Sequence, residues 1–364
     1  MKIIHVVGAR PNFMKVAPIM REMSKAPKIF KQFLVHTGQH YDESMSGVFF
    51  NEIGLPKPDI NLNIGSGTHA WQTAQIMIRL ERMLQNYSPD WVFVVGDVNS
   101  TLAAALVCSK LDIKVAHVEA GLRSFDRSMP EEINRILTDQ ISDILFTTCD
   151  EANKNLLREG IRSEKISFVG NVMIDCLVYL LPKAKKRWHV IHQNLKIKEY
   201  ILVTLHRPSN VDNPDTLEEA MTALSLISKE IPVVFPLHPR TRKQMIDVKK
   251  WQAKNSQLHL LKPMGYLDFL SLEMHARMVL TDSGGVQEET SYLGIPCLTI
   301  RPNTERRVTI IHGTNQLVEN NCEAIIGSIK NILNIKHKIS NKKMLPFWDG
   351  KAAGRIVKIM KELA

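Results

Sequence analysis

The sequence predicts two successive α/β domains, each a parallel sheet with helices on both faces. Three observations predict it. The chain has 364 residues, and at roughly 150 residues per domain that is about two domains. Short apolar runs alternate with stretches of helical spacing, the pattern of strands joined by crossover helices. Past the middle of the chain a second series of similar size begins.

In the first series the apolar runs are Ile3–Val7, Phe33–His36, Trp91–Val95, Val115–Val118 and Ile144–Phe146. Thr101–Lys110 and Glu131–Ser142 carry helical spacing between them. Around Lys183–Arg187 the composition turns basic and the strand signal stops, which places an interdomain linker nearby. The second series of strands is Tyr200–Leu205, Pro232–Leu237, Leu258–Leu261, Met278–Thr281 and Pro296–Ile300. Lys351–Leu363 reads as an amphipathic helix with Ile356, Ile359, Met360 and Leu363 on one side. Spacing alone does not say which domain it packs on.

Composition narrows the class. Apolar residues are 44% and charged residues 23%, ordinary for a globular protein. A disordered tail, a fibrous repeat and a disulfide mini-scaffold are excluded. No run approaches the ~18 apolar residues of a membrane span. Met1–Val7 is apolar for too short a stretch to be a signal peptide. The five cysteines, Cys108, Cys149, Cys176, Cys297 and Cys322, are odd in number and form no C-x-x-C. They read as small buried hydrophobes in a reducing cytoplasm, not as a disulfide framework or zinc site.

Lys and Arg number 47 against 37 Asp and Glu, a net charge of +10. That excess suits nucleic acid, an anionic membrane face or an acidic small substrate. The basic clusters Lys183–Arg187 and Lys336–Lys343 lack interleaved aromatics, so they read as solvated surface and no nucleic-acid partner is expected.

Open α/β sheets bind ligands outside the carboxyl ends of their strands. The first such turn is Gly8-Ala9-Arg10-Pro11-Asn12-Phe13-Met14-Lys15. It is not the G-x-G-x-x-G of a dinucleotide fold. Arg10 and Lys15 beside a helix start suit an anion; the alternative is a basic turn exposed to water. Gly96-Asp97 and Val118-Glu119 each end a strand in a carboxylate, and Pro130-Glu131-Glu132-Ile133-Asn134-Arg135 opens a helix with two acids. Glu132 is accounted for by the helix dipole. Asp97, Glu119 and Glu131 would converge, repel one another and shift their pKa values, as acid–base groups do.

In the second series Leu205-His206-Arg207-Pro208 ends a strand, where His206 is either functional or a capping histidine. Thr281-Asp282-Ser283-Gly284-Gly285-Val286-Gln287-Glu288-Glu289 is strand, turn and helix. It offers backbone N–H groups and a hydroxyl to a phosphate, and Glu289 could accept sugar hydroxyls. Arg301 and Thr304-Glu305-Arg306-Arg307 add cations nearby.

As a set, GARPNFMKVAP at 8–18, GD at 96–97, HVEAGLRS at 117–124, PEEINR at 130–135, HRPSN at 206–210, DSGGVQEE at 282–289 and TERR at 304–307 resemble the non-hydrolysing UDP-N-acetylglucosamine 2-epimerases. The resemblance implies the GT-B architecture: two Rossmann-like doubly wound domains with a nucleotide sugar in the cleft between them. The expected division is residues 1–172 and 173–350, with the helix at 351–364 returning to the first domain. It implies a cytoplasmic homodimer that uses no cofactor and no metal.

The resemblance places UDP-sugar contacts on Arg10, Lys15, Asp97, Glu119, Arg135, His206, Ser283, Gly284, Gly285, Glu289 and Arg306. Phe269 matches the aromatic near the uracil. Catalysis falls to Asp97, Glu119 and Glu131, with His206 assisting. The chain departs from the family at His206-Arg207-Pro208-Ser209-Asn210, at Thr304-Glu305-Arg306-Arg307-Val308 and at Met264. The second, regulatory sugar site of some members is also altered: Gln39-His40 is followed by Tyr41-Asp42, and the later segment reads Gly67-Thr68-His69-Ala70-Trp71. These differences leave room for a modified sugar such as a diacetamido uronic acid. A hydrolysing epimerase and a GT-B glycosyltransferase are the other enzyme readings.

C2 of an N-acetylhexosamine is not beside a carbonyl, so its proton is not acidic. Oxidation by NAD is disfavoured by the missing G-x-G-x-x-G, and the Tyr179–Lys183 match to Y-x-x-x-K is interrupted by Pro182. Elimination of UDP gives C1 oxocarbenium character, acidifies the C2 proton and yields a 2-acetamidoglucal. Cations and amide dipoles would stabilise the leaving diphosphate. Two acid–base groups would take and return the proton on opposite faces.

Overall fold

The apolar runs become strands of two parallel sheets. The structure is a computed structural model that describes residues 1–39, 50, 52–195, 197–245, 251, 257–334 and 345–364. It separates into two compact units, Met1–Tyr179 with Pro346–Ala364, and Leu180–Leu345.

In the first unit the strands are β1 (Lys2–Val7), β2 (Lys31–His36), β3 (Ile60–Asn61), β4 (Trp91–Val95), β5 (Lys114–Ala120), β6 (Ile144–Thr147) and β7 (Ile166–Phe168). They form a seven-stranded sheet in the order β3-β2-β1-β4-β5-β6-β7. The helices are α1 (Arg10–Met23), α2 (His69–Tyr87), α3 (Asn99–Lys110), α4 (Pro130–Ile141) and α5 (Asp150–Arg158). β1 and β4 are buried along most of their length, because a parallel sheet is covered on both faces. The three strands that the apolar runs did not announce, β3, β7 and, in the second unit, Asn315–Val318, are all sheet edges. There the strand is half open to water, and its run is diluted by polar residues.

Helix α6 (Val172–Leu195) carries the chain across the unit boundary. The basic stretch Lys183–Arg187, read from the sequence as the neighbourhood of a linker, is helical inside it. The second basic cluster, Lys336–Lys343, lies outside the described residues.

The second unit holds β8 (Ile201–Thr204), β9 (Val233–Pro236), β10 (Leu258–Leu261), β11 (Met278–Thr281), β12 (Cys297–Ile300) and β13 (Asn315–Val318). Their order is β10-β9-β8-β11-β12-β13. Its helices are α7 (Pro208–Val211), α8 (Pro214–Ile227), α9 (Pro239–Gln244), α10 (Tyr266–His275), α11 (Gly284–Leu293), α12 (Arg307–Ile311) and α13 (Cys322–Asn334). Leu202, Val234 and Val279 pack on one side of this sheet, and Val203, Phe235 and Leu280 on the other. Both units are therefore Rossmann-like, as the sequence predicts.

The last helix, α14 (Ala352–Glu362), belongs to the first unit and packs on α1. Asp175 caps it by accepting from the N–H groups of Ala352 and Ala353 at 3.1 and 2.7 Å. Its buried stripe is Ala353, Ile356, Val357 and Met360; Leu363 is 51% exposed. Leu363 falls beyond the last turn, so helical periodicity no longer turns it inward. Four cysteines are buried, and Cys322 is partly exposed at the start of α13. Among the described residues no helix is long and apolar enough to cross a membrane.

Candidate active site

In the first unit, the β4 and β5 ends lie side by side because Val94 pairs with His117 and Val95 with Val118. Gly96 follows β4 at φ +68°, where a Cβ would come within 2.7 Å of Lys15 Nζ. Glycine is favoured there by its left-handed backbone and by the ammonium packed on it. Glu119 also lies in the left-handed region, at φ +72°, and the β5–β6 register shifts between Val118 and Ala120. A non-glycine residue there is costly. The bulge turns the Glu119 carboxylate onto Lys15, 2.7 Å away, and both groups are buried.

Asn12 fixes the base of α1. Its Oδ1 accepts from the N–H groups of Gly8 and Ala9, and its Nδ2 donates to the Val95 carbonyl at 2.9 Å. Lys15, one turn on, is thereby aimed across the β4 end. Arg10 is exposed at the first position of the same helix. The two cations expected beside one helix start have therefore parted. Arg10 faces solvent, and Lys15 spends its charge on Glu119.

Asp97 is paired with Arg135. Arg135 is held in turn by Glu132, Nη2 to Oε2 at 2.7 Å. Glu132 also accepts from the Ser124 N–H at 2.9 Å, the Ser124 hydroxyl at 3.0 Å and the Phe125 N–H at 2.9 Å. Burial acts to raise the Glu132 carboxyl, but these donors and Arg135 outweigh it and hold it below the usual range. The dipole account of Glu132 is therefore corrected: the residue is a buried strut between α4 and the loop after β5. Glu131, the next residue back, is half-buried in the first turn of α4. The acids of this unit are not a bare cluster, since Asp97 and Glu119 each have a cation.

A third network lies beneath. His117 Nδ1 meets Asp139 Oδ1 at 2.7 Å, and its Nε2 meets the Gly96 carbonyl at 2.9 Å. Asp139 Oδ2 contacts Arg123 Nη2 at 2.7 Å and accepts from the Gly121 N–H at 3.1 Å. Burial would raise Asp139; His117 and Arg123 more than offset this and lower it. His117, Arg123 and Asp139 were not singled out from the sequence. The signal that could have found them is buried-strand polarity: His117 interrupts the apolar alternation of β5.

In the second unit, Asp282 directly follows β11, is fully buried and organises the β8 end. Its Oδ2 accepts from the N–H groups of His206 and Arg207 at 2.9 and 2.8 Å, and its Oδ1 is 2.9 Å from His206 Nδ1. Burial raises the Asp282 carboxyl, but His206 and the two amides bring it below its ordinary value. The imidazole of His206 is oriented by this carboxylate and remains partly open to solvent.

Ser283 is the N-cap of α11, and its side chain makes no capping bond. A Cβ at Gly284 would stand 2.6 Å from Arg306 Nη1, so the missing side chain lets the guanidinium lie on the turn. Arg306 is held there by Glu305 and by Glu288, Nε to Oε1 at 3.2 Å. Gly285 lies in the same first turn. Glu289 is buried and accepts from the Tyr266 hydroxyl at 2.6 Å. Phe269 is partly buried on α10 against the apolar cluster that includes Leu272 and Val279.

The structure thus brings Lys15, Asp97, Glu119 and Arg135 together on one unit. It groups Ser283, Gly284, Gly285, Glu289 and Arg306 on the other. The altered regulatory segment His40-Tyr41-Asp42 lies outside the described residues.

A family model described as UDP-N-acetylglucosamine 2-epimerase matches residues 21–361. A UDP-N-acetylglucosamine 2-epimerase of Methanocaldococcus jannaschii is 45% identical over 367 residues, covering 99% of each chain. A UDP-2,3-diacetamido-2,3-dideoxy-D-glucuronate 2-epimerase of Pseudomonas aeruginosa is 40% identical over 366 residues, covering 100% of each. The crystal structure of the Methanocaldococcus jannaschii enzyme with UDP-GlcNAc and UDP has a TM-score of 0.91, with 100% of each chain covered and 44% identity. With a match this long and relatives this similar, the chain belongs to the UDP-N-acetylglucosamine 2-epimerase family.

Proposed function

We propose that this protein epimerises UDP-N-acetylglucosamine at C2 to UDP-N-acetylmannosamine without releasing the sugar, through elimination and re-addition of UDP. The observation that carries the proposal is the pair of buffered acids at adjacent strand ends, Asp97 with Arg135 and Glu119 with Lys15. A proton-transfer site needs carboxylates held in fixed positions, with charge balanced so that they can remain buried.

The steps follow from the chemistry of C2. The C1–O bond breaks, and its electron pair leaves with the β-phosphate of UDP. A carboxylate takes the C2 proton, and the C–H electrons form the C1=C2 bond of a 2-acetamidoglucal. A second acid delivers a proton to the opposite face of C2, and a UDP oxygen closes back on C1. Asp97, Glu119 and Glu131 are assigned the acid–base work, with His206 assisting. Ser283, Gly284, Gly285 and Arg306 are assigned to the diphosphate, where amide dipoles and a fixed guanidinium stabilise developing charge. Arg10 is assigned to the same anion. Glu289 is assigned to the ribose hydroxyls and Phe269 to the base.

The assay is turnover by Asp97→Asn and Glu131→Gln, read beside UDP binding. Both variants should lose epimerisation while binding UDP. Near-normal turnover in both would sink the assignment. A second reading is favoured by the Pseudomonas aeruginosa relative, 40% identical along the full chain: the sugar is a diacetamido uronate. Turnover of each UDP-sugar by the purified protein separates the two.

A further inference from the structure

Glu273 on α10 has no exposed surface. Neither of its carboxyl oxygens receives a hydrogen bond from a donor among the described residues. Its polar neighbour is another buried acid, Glu289 on α11. Two carboxylates accept only, and two such charges side by side in the interior repel. The stable arrangement is one shared proton, with a carboxylic acid donating to a carboxylate.

The surrounding groups decide which acid keeps the proton. The Tyr266 hydroxyl donates to Glu289 at 2.6 Å, which stabilises charge on Glu289 and leaves the proton to Glu273. Cys297 on β12 also faces Glu273; burial pushes its thiol up to about 12, so it supplies no charge. Just before β8, the Tyr200 hydroxyl donates to the Leu272 carbonyl at 2.6 Å. His275 on α10 is engaged with the Ser271 carbonyl at 2.8 Å. No cation among the described residues is left to pair with Glu273. Burial first, and Glu289 second, raise its carboxyl well above the ordinary value.

We infer that Glu273 is a positioning residue for nucleotide binding, a neutral carboxylic acid whose proton holds the Glu289 carboxylate in place for the ribose hydroxyls of a uridine nucleotide. This rests on the reading of Glu289 as a ribose ligand. Glu273 itself never touches the substrate. Its loss therefore weakens binding and leaves the chemical step alone.

The test compares Glu273→Gln, Glu273→Met and Glu289→Gln by UDP calorimetry and by KM and kcat for UDP-N-acetylglucosamine. Gln keeps a donor toward Glu289 and should bind UDP within about twofold of wild type. Met removes the donor and should raise Kd and KM on the order of tenfold, with kcat nearly unchanged. Infrared difference spectra of the unmutated protein at neutral pH should show a protonated carboxylic acid that Glu273→Gln abolishes. The inference is overturned if Glu273→Met binds as wild type, if both Glu273 variants are equally impaired, or if the infrared band is absent. Unchanged UDP affinity in Glu289→Gln with the band present overturns the ribose reading and the positioning role, but leaves the shared proton standing.

Discussion

Lys15 Nζ lies 2.7 Å from Glu119 Oε1, with both side chains buried and Glu119 held in a left-handed backbone at φ +72°. Strained residues persist where the surrounding structure over-determines them, and they gather at active sites. The pair joins the first helix of the sheet to a strand end 104 residues away, so each partner depends on the other.

Lys15→Met should therefore be severe. It leaves a buried carboxylate without its cation, a loss of about 3–5 kcal/mol. Adding Glu119→Gln should restore much of that stability by removing the stranded charge. It should not restore epimerisation, because the acid itself is gone. Thermal unfolding and turnover of the single and double variants check both parts. Equal instability in the two would argue against an ion-pair origin.

Gly96→Ala tests the turn that carries Asp97. The added methyl meets Lys15 Nζ at 2.7 Å on a backbone at φ +68°. The left-handed conformation alone costs about 1–2 kcal/mol. Displacement of Lys15 and Asp97 should lower kcat on the order of a hundredfold. Wild-type turnover would show that the turn tolerates a side chain.

Glu132→Gln removes the charge that holds Arg135 while leaving the helix intact. Asp97 then shares a guanidinium that is no longer fixed from behind. The expected result is a fall in kcat of about tenfold or more, with UDP affinity little changed. Steady-state kinetics and calorimetry on the same preparation measure the two. A loss confined to UDP affinity would reassign Glu132.

Acid stability follows from the buried carboxyls. Asp139, Glu132 and Asp282 all lie below their ordinary values once their partners have offset burial. A carboxyl lowered on folding gives stability that is complete above its unfolded value, about 4, and is lost as pH falls through the folded value. Asp175 runs the other way. Burial raises it to about 6, against the amide donors of Ala353 and Ala352. Its contribution is complete below about 4 and is lost as pH rises through about 6. Asp139→Asn should flatten the acid limb of melting temperature against pH. Asp175→Asn should remove the decline between pH 4 and 6. Profiles parallel to wild type would contradict both.

These relationships also mark how far the sequence could be read. The central strands were legible because a covered parallel sheet needs unbroken apolar runs, as in Trp91–Val95. The two-residue β3 and the edge strand β13, which opens with Asn315-Gln316, carry no such run. The strand-end acids were legible from position alone. Their pairing with Lys15 and Arg135 was not, because Asp97 and Arg135, for example, are 38 residues apart and only the packing of α4 on the sheet joins them. Glu132 was misjudged because an acid in a first helical turn has a sufficient local explanation. Its burial against Ser124 and Phe125 is a tertiary fact. Glu273 gave no signal at all, since its meaning depends on a neighbour on another helix.

The most direct measurement of the central claim is incubation with UDP-N-acetylglucosamine in heavy water, followed by NMR. Elimination and re-addition predict deuterium at C2 and a manno product that still carries UDP. A manno product that retains its C2 proton, or free sugar released with UDP as the only product, would contradict the account.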